Sequence, residues 1–315
     1  MKQSNKIEVY ILSGFLGSGK TSLLKHMVKI QKEFGKTPAV LMNELGQVSI
    51  DSNEVDKDTP LAELLDGCIC CTIQDKLESQ LQGLLINEKF DVLLVETTGA
   101  AHPIEVVDAI MSPLFADRFE FKGIITVVDA HQWMTRKELS PQVLQLLREQ
   151  IRYAGLILLN KVNLLSEMQL ATASSELQGI NSTSQIIMTN HSSISANALT
   201  QISKVEKAED YSRLNVIKHL RIQAIVHTFN KAIDQGLFED WIRTLPETVY
   251  RMKGYIPFSH SNYPVLFQYS FGMPFYLPED MKLPTNLVVI GEGLDKNAII
   301  KDLRKLEECK KGEII

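Results

Sequence analysis

Long apolar runs are missing from this chain of 315 residues. None approaches the roughly 18 residues that a bilayer-spanning helix needs, so no membrane partner is expected. A surplus of positive charge is missing too. The formal net charge is −5, with Lys and Arg scattered along the chain, which leaves no electrostatic footprint for nucleic acid. There is no internal repeat and no low-complexity tract. With 44% hydrophobic and 23% charged residues, the composition is that of a folded globular protein, not a disordered one. Histidine forms no tract, its seven copies being spread along the chain. Cysteine is scarce, four residues in all. Three clustered thiols and a distant Cys309 do not suggest paired extracellular bridges; in a reducing cytosol such clusters bind metal or do redox work. At the N-terminus Lys2 and Lys6 precede an apolar stretch. Glu8 interrupts it and it runs on into a glycine-rich loop, so a core strand and a cytoplasmic location are expected in place of a secretory signal.

From the start to about residue 190, short β-branched runs alternate with helical patterns, which predicts an α/β fold with a mainly parallel sheet. The expected strands are 8–13, 38–43, 91–96, 122–129, 155–160 and 185–189. Leu23, Leu24, Met27 and Val28 recur at helical spacing after the first strand, and His26, off that stripe, is expected in solvent. Residues 190–213 are polar, fitting a linker or surface helix. Beyond them the pattern predicts strands at 222–229, 248–257, 265–276 and 286–290 and helices at 233–245 and 296–308, a smaller α+β module. The expected domains are therefore 1–212 and 213–315.

Gly14-Phe15-Leu16-Gly17-Ser18-Gly19-Lys20-Thr21 matches G-x-x-x-x-G-K-[ST] between a predicted strand and a predicted helix. Gly14, Gly17, Ser18, Gly19 and Ser22 belong to a cradle of backbone N–H groups for phosphate. Lys20 is expected on the β and γ phosphates and the Thr21 hydroxyl on Mg²⁺. The strand at 91–96 ends in Glu96-Thr97-Thr98-Gly99. There Glu96 is expected to hold Mg²⁺ or orient water, and Gly99 to offer its N–H to the γ phosphate.

Asn160-Lys161-Val162-Asn163 ends the fifth strand, where guanine-specific NTPases carry Asn-Lys-x-Asp. Asn163 offers one acceptor and one donor where an aspartate would accept two guanine hydrogens. The mismatch costs about 1 to 3 kcal/mol, enough to weaken guanine preference about tenfold. GTP is the first expectation and ATP the alternative; a helix-capping role for Asn163, near residues 165–166, is the non-functional one.

Gly67-Cys68-Ile69-Cys70-Cys71 places three thiols within four residues after a glycine that permits a tight turn. Three thiolates suit Zn²⁺, with Cu(I) or Co²⁺ open on ligand type. Burial as small hydrophobes and redox chemistry are the competing readings, the second without the C-x-x-C spacing it would want.

Taken in order, these motifs resemble the CobW family of metal-chaperone GTPases. The likeness rests on Gly14 to Thr21, Asn43-Glu44-Leu45-Gly46, the cysteine cluster, Glu96 to Gly99 with His102-Pro103, Val127-Val128-Asp129, Gln150-Ile151, Asn160-Lys161 and Arg251-Met252-Lys253-Gly254. The resemblance implies a P-loop GTPase that binds zinc or a similar divalent ion and delivers it to a client metalloprotein. It implies Cys68, Cys70 and Cys71 as metal ligands, with Glu44 contributing from a first switch segment. Asn163 departs from the family's Asp, and the histidine-rich stretch of some members is missing. Since the cysteines lie between two expected switch segments, nucleotide state is expected to alter metal geometry. A zinc-binding nucleotide switch acting as regulator or scaffold and a P-loop kinase of a small acceptor are the other readings; self-association is left open.

Overall fold

The computed structural model describes residues 6–42, 59, 61–63, 73–199, 222–270 and 272–308, with backbone alone at 61–63 and 73–76. They fall into two compact units. The first runs up to Ile110 and resumes at Glu120; the second joins Met111–Phe119 to the chain from Ile222 onward.

In the first unit the strands are β1 (Ile7–Ser13), β2 (Pro38–Met42), β3 (Leu61–Glu63), β4 (Val92–Glu96), β5 (Phe119–Asp129), β6 (Leu156–Asn160) and β7 (Gln185–Met188). They form one sheet in the order β3-β2-β4-β1-β5-β6-β7. The β1/β4, β2/β4, β2/β3, β5/β6 and β6/β7 pairs are parallel. Parallel strands need crossovers, and helices on both faces bury them, which is why β2, β4 and β6 are buried throughout and apolar up to the polar residues Glu96 and Asn160 that end β4 and β6.

The helices are α1 (Lys20–Glu33), α2 (Ile73–Asn87), α3 (Pro103–Ile110), α4 (Ala130–Met134), α5 (Pro141–Arg152) and α6 (Glu167–Ile180). The stripe of Leu23, Leu24, Met27 and Val28 packs α1 against Tyr10, Leu12, Val40 and Leu94 of the sheet. Ser140 caps α5 by accepting from the Val143 N–H, and Pro141 supplies a helical φ at its first position. A capping box of Ser166 and Gln169 starts α6.

Residues 190–199 are not a linker. Ile194, Ala198 and Leu199 are buried in the same core as Leu23, Leu24 and Met27. The polar residues between them hide this in the sequence. His26 also departs from expectation: it is half-buried, with Nδ1 3.1 Å from the Ser192 carbonyl.

The second unit is an antiparallel sheet of β8 (Ile222–Thr228), β9 (Val249–Ile256), β10 (Val265–Ser270), β11 (Met273–Pro278) and β12 (Asn286–Glu292), in the order β11-β10-β9-β12-β8. Helices α7 (Gln235–Thr244) and α8 (Lys296–Glu308) complete it. Phe238 centres the core, its ring 5.0 Å from Phe267, 5.6 Å from Trp241 and 5.7 Å from Phe258. The single strand expected over 265–276 is instead a hairpin. Gly272, at φ 93°, turns the chain there, so Phe267 faces Tyr276 across the ladder. The Asn286 side chain donates to the Pro113 carbonyl at 2.7 Å, tying Met111–Phe119 to this unit. Among the described residues, no helix is long and apolar enough to cross a membrane.

Candidate nucleotide site

Strand register brings distant parts of the sequence to one edge. Leu12 and Met42 both align with Glu96, and Asp129 aligns with Asn160. With β1 between β4 and β5, the segments after β1, β4, β5 and β6 share the carboxyl edge of the sheet, where ligands of open α/β folds bind.

Gly14, Gly17 and Gly19 all have positive φ, 134°, 71° and 112°. A side chain at Gly19 would also collide: its Cβ would lie 2.4 Å from Ser192 Oγ and 2.6 Å from Asn160 Nδ2. Lys20 is 7% exposed, and its ammonium donates to the carbonyls of Gly14 at 2.9 Å and Phe15 at 3.1 Å. A cation is thus folded into the turn that encloses it, against a helix N-terminus, an arrangement suited to phosphate.

Thr21 donates its hydroxyl proton to Glu96 Oε1 at 2.7 Å. Glu96 is buried at the end of β4. A hydroxyl and a carboxylate in contact at the helix start form an oxygen donor set that fits Mg²⁺. Ser22, by contrast, is exposed.

Beyond Glu96 the chain lies against the phosphate loop. A Cβ on Gly99 would sit 2.5 Å from the Leu16 nitrogen, so any side chain there would force the two backbones apart. Thr97 is tied to the Leu12 carbonyl through both its N–H and its hydroxyl, each at 3.1 Å. Gln150, wholly buried, donates Nε2 to the carbonyls of Gly99 at 3.1 Å and Ala101 at 3.3 Å. His102 pairs Nε2 with Glu149 Oε2 at 3.1 Å.

Asn160 joins two loops from the inside. Its Nδ2 donates to the Ser18 carbonyl at 2.8 Å and its Oδ1 accepts from the Ser192 N–H at 2.9 Å. Lys161, at φ 60°, donates to Asp129 Oδ2 at 2.6 Å and the Gly17 carbonyl at 2.9 Å. Asn163 is exposed and its N–H donates to Asn190 Oδ1 at 3.1 Å. It caps no helix, because Ser166 does so. Cys68, Cys70, Cys71, Glu44 and Cys309 lie outside the described residues.

Sequence reasoning missed Ser192 and left Asp129 without a role. His191 and Ser192 are adjacent non-glycine residues at φ 58° and 53°, a conformation held only where surrounding contacts over-determine it. The available signal was position: both Asp129 and the 190–193 turn follow predicted strands at the edge that carries the phosphate loop. Ser18 Oγ and Ser192 Oγ are buried with no hydrogen-bond partner among the described residues, and they border Gly14 and Gly19 respectively.

Replacing Asn160 with Ala would strand the buried Ser18 carbonyl and Ser192 N–H together. A loss of about 2 to 4 kcal/mol in unfolding free energy is expected, measured by urea titration.

A glycine turn around a buried lysine, a Thr–Glu pair at the helix start and an Asn-Lys element on a parallel sheet define a P-loop nucleotide-binding protein. The chain belongs to the CobW/HypB/UreG family: residues 8–188 match its nucleotide-binding domain, and residues 222–307 match the cobalamin synthesis protein cobW C-terminal domain. Among curated relatives, the zinc chaperone YjiA of Escherichia coli K12 is 35% identical over 172 residues, 52% of each chain. The zinc chaperone CobW of Pseudomonas aeruginosa is 31% identical over 208 residues, 57% of this chain and 55% of the relative. The chain thus spans about half the length of the curated relatives it matches. The crystal structure of Zn(II)-bound YjiA GTPase from E. coli shares the fold, with a TM-score of 0.50, 24% identity, and coverage of 96% of this chain and 99% of the other.

Proposed function

We propose that this chain hydrolyses a nucleoside triphosphate, GTP before ATP, and uses the cycle to bind zinc or a similar divalent ion and pass it to a client metalloprotein. The observation that carries the nucleotide part is the register that brings the Lys20 turn, the Thr21–Glu96 pair and the Asn160-Lys161 element to one sheet edge. The metal part is supported by the chemistry of three clustered thiols and by the names of the curated relatives.

In this reading the backbone N–H groups of residues 14–20 hold the phosphates. Lys20 gives up its carbonyl partners to neutralise the β and γ oxygens. Thr21 and Glu96 would hold Mg²⁺, which supplies charge neutralisation when bound. Gly99, packed on Leu16 and fastened by Gln150, is the point at which an arriving γ phosphate is felt by the segment after β4. Cys68, Cys70 and Cys71 precede that segment in the chain and take the metal as cargo, with Glu44 contributing a carboxylate. A nucleotide-dependent rearrangement of the segment would then alter the affinity of the thiolates.

Base choice rests on Asn163, whose amide offers one donor and one acceptor, a pair that suits adenine and leaves one guanine hydrogen unmatched. Asn163→Asp is expected to raise the preference for GTP over ATP by about tenfold, measured by competition against a fluorescent nucleotide. An unchanged ratio would remove Asn163 from base reading.

A further inference from the structure

An open groove of about 560 Å³ lies on the first unit among α4, α5 and α6, away from the residues of the nucleotide site. Trp133, Arg136, Arg148, Glu149, Arg152 and Gly179 line most of it. One wall is fixed internally. Arg136 stacks on the Trp133 ring at 4.2 Å and pairs with Glu176 at 2.8 Å, and the Trp133 indole N–H donates to the same carboxylate at 2.8 Å. The Arg136 hydrogen bond, aided by that indole, holds the Glu176 carboxyl below the usual carboxylate range.

Both acids in the wall are therefore engaged: Glu176 by Arg136 and Trp133, and Glu149 by His102 and Gln145. Arg148 and Arg152 are exposed on α5, and their guanidinium groups have no partner among the described residues. Two guanidinium groups are left over in a groove on a chain whose net charge is −5. Guanidinium forks bind carboxylates in pairs of parallel hydrogen bonds.

We propose that this groove docks an acidic peptide segment in extended conformation, with carboxylates at alternate positions meeting Arg148 and Arg152. The spacing fits: positions four apart on a helix lie about 5–6 Å from each other, and same-face side chains on an extended chain recur about every 6.5 Å. The groove's volume falls in the range of binding clefts, but its arginines are exposed rather than enclosing, which suits a chain segment better than a small molecule. Gly179 adds a second point. A glycine late in α6 costs helix stability, about 1 kcal/mol against alanine, and a Cβ there would meet nothing within 4 Å, so its absence keeps the groove wide.

The test is fluorescence anisotropy on the full chain with a labelled hexapeptide of alternating glutamate and alanine. Saturable binding is expected, weakened at least about tenfold by the double change Arg148→Glu with Arg152→Glu. Gly179→Leu, which fills the groove while favouring the helix, is expected to weaken it about as much and decides the matter if the charge-reversed chain does not fold. The proposal is overturned if the native chain does not bind the peptide, or if a folded variant binds within about twofold of it. It is also overturned if inorganic phosphate displaces the peptide where chloride of equal ionic strength does not, since the groove would then be a free-anion site.

Discussion

Replacing Lys20 with Ala is expected to reduce GTP turnover by about 10²–10³-fold, the usual effect of deleting one donor aimed at developing charge. The lysine is buried inside its own loop, held by the carbonyls of Gly14 and Phe15. Those carbonyls keep the ammonium where phosphate oxygens would arrive, so its removal takes away charge without disturbing the sheet beneath. The core of the first unit is built from Tyr10, Leu12, Leu23, Leu24 and Met27 among others, none of which depends on the lysine. Phosphate release should therefore collapse while the sheet still folds, with a stability loss of about 1 to 3 kcal/mol from the carbonyls of Gly14 and Phe15 that lose their donor. Lys20→Arg should not rescue turnover, because a planar fork cannot occupy the turn that a compact ammonium fills. Retention of near-native turnover in Lys20→Ala would remove the phosphate loop from the chemistry.

The second large effect concerns the thiols. Replacing Cys68, Cys70 and Cys71 together with Ala is expected to take anaerobically purified protein from roughly one equivalent of zinc to none, since three thiolates are the bulk of a four-coordinate zinc shell. Folding should survive, because the described cores close on aliphatic and aromatic side chains without them. Among the described residues no group of three His, Cys, Asp or Glu converges on a metal position, so no described cluster would stand in for the lost thiolates. Glu44→Ala should cost less, about 10- to 100-fold in affinity, as supporting groups around a metal do. Metal analysis of the purified variants checks both. A triple variant that keeps its zinc would place the ligands elsewhere.

Much of this was written in the sequence, and what was not has identifiable causes. The parallel sheet was legible because strands covered on both faces must be apolar throughout, as Val92 to Val95 and Leu156 to Leu159 are. The phosphate loop was legible because few residue types satisfy its backbone: glycine at positive φ, lysine inside. The β10–β11 hairpin was not, since Gly272 interrupts an otherwise continuous run of strand-forming residues. Nor was the core role of Ile194 and Leu199, set among serines and an asparagine. The bonds from Asn160 to Ser18 and Ser192, and from Lys161 to Asp129, depend on the spatial order β1-β5-β6-β7. Strand order is a property of the crossovers, and pattern along the chain does not encode it. The cysteine cluster is the reverse case: residue type and spacing point to a thiolate metal site, the cluster lies outside the described residues, and the reading rests on that chemistry and on the family.

The account turns on one linkage, that the nucleotide at the phosphate loop and the metal at the thiols sense each other. By reciprocity, a change in metal affinity on nucleotide exchange must equal the change in nucleotide affinity on metal binding. The direct measurement is a zinc competition titration of the intact chain with Mg²⁺ and either a non-hydrolysable GTP analogue or GDP. The account predicts zinc affinities that differ by about 5- to 150-fold between the two nucleotides, with the difference abolished in the triple cysteine variant. Equal affinities in both states would contradict it.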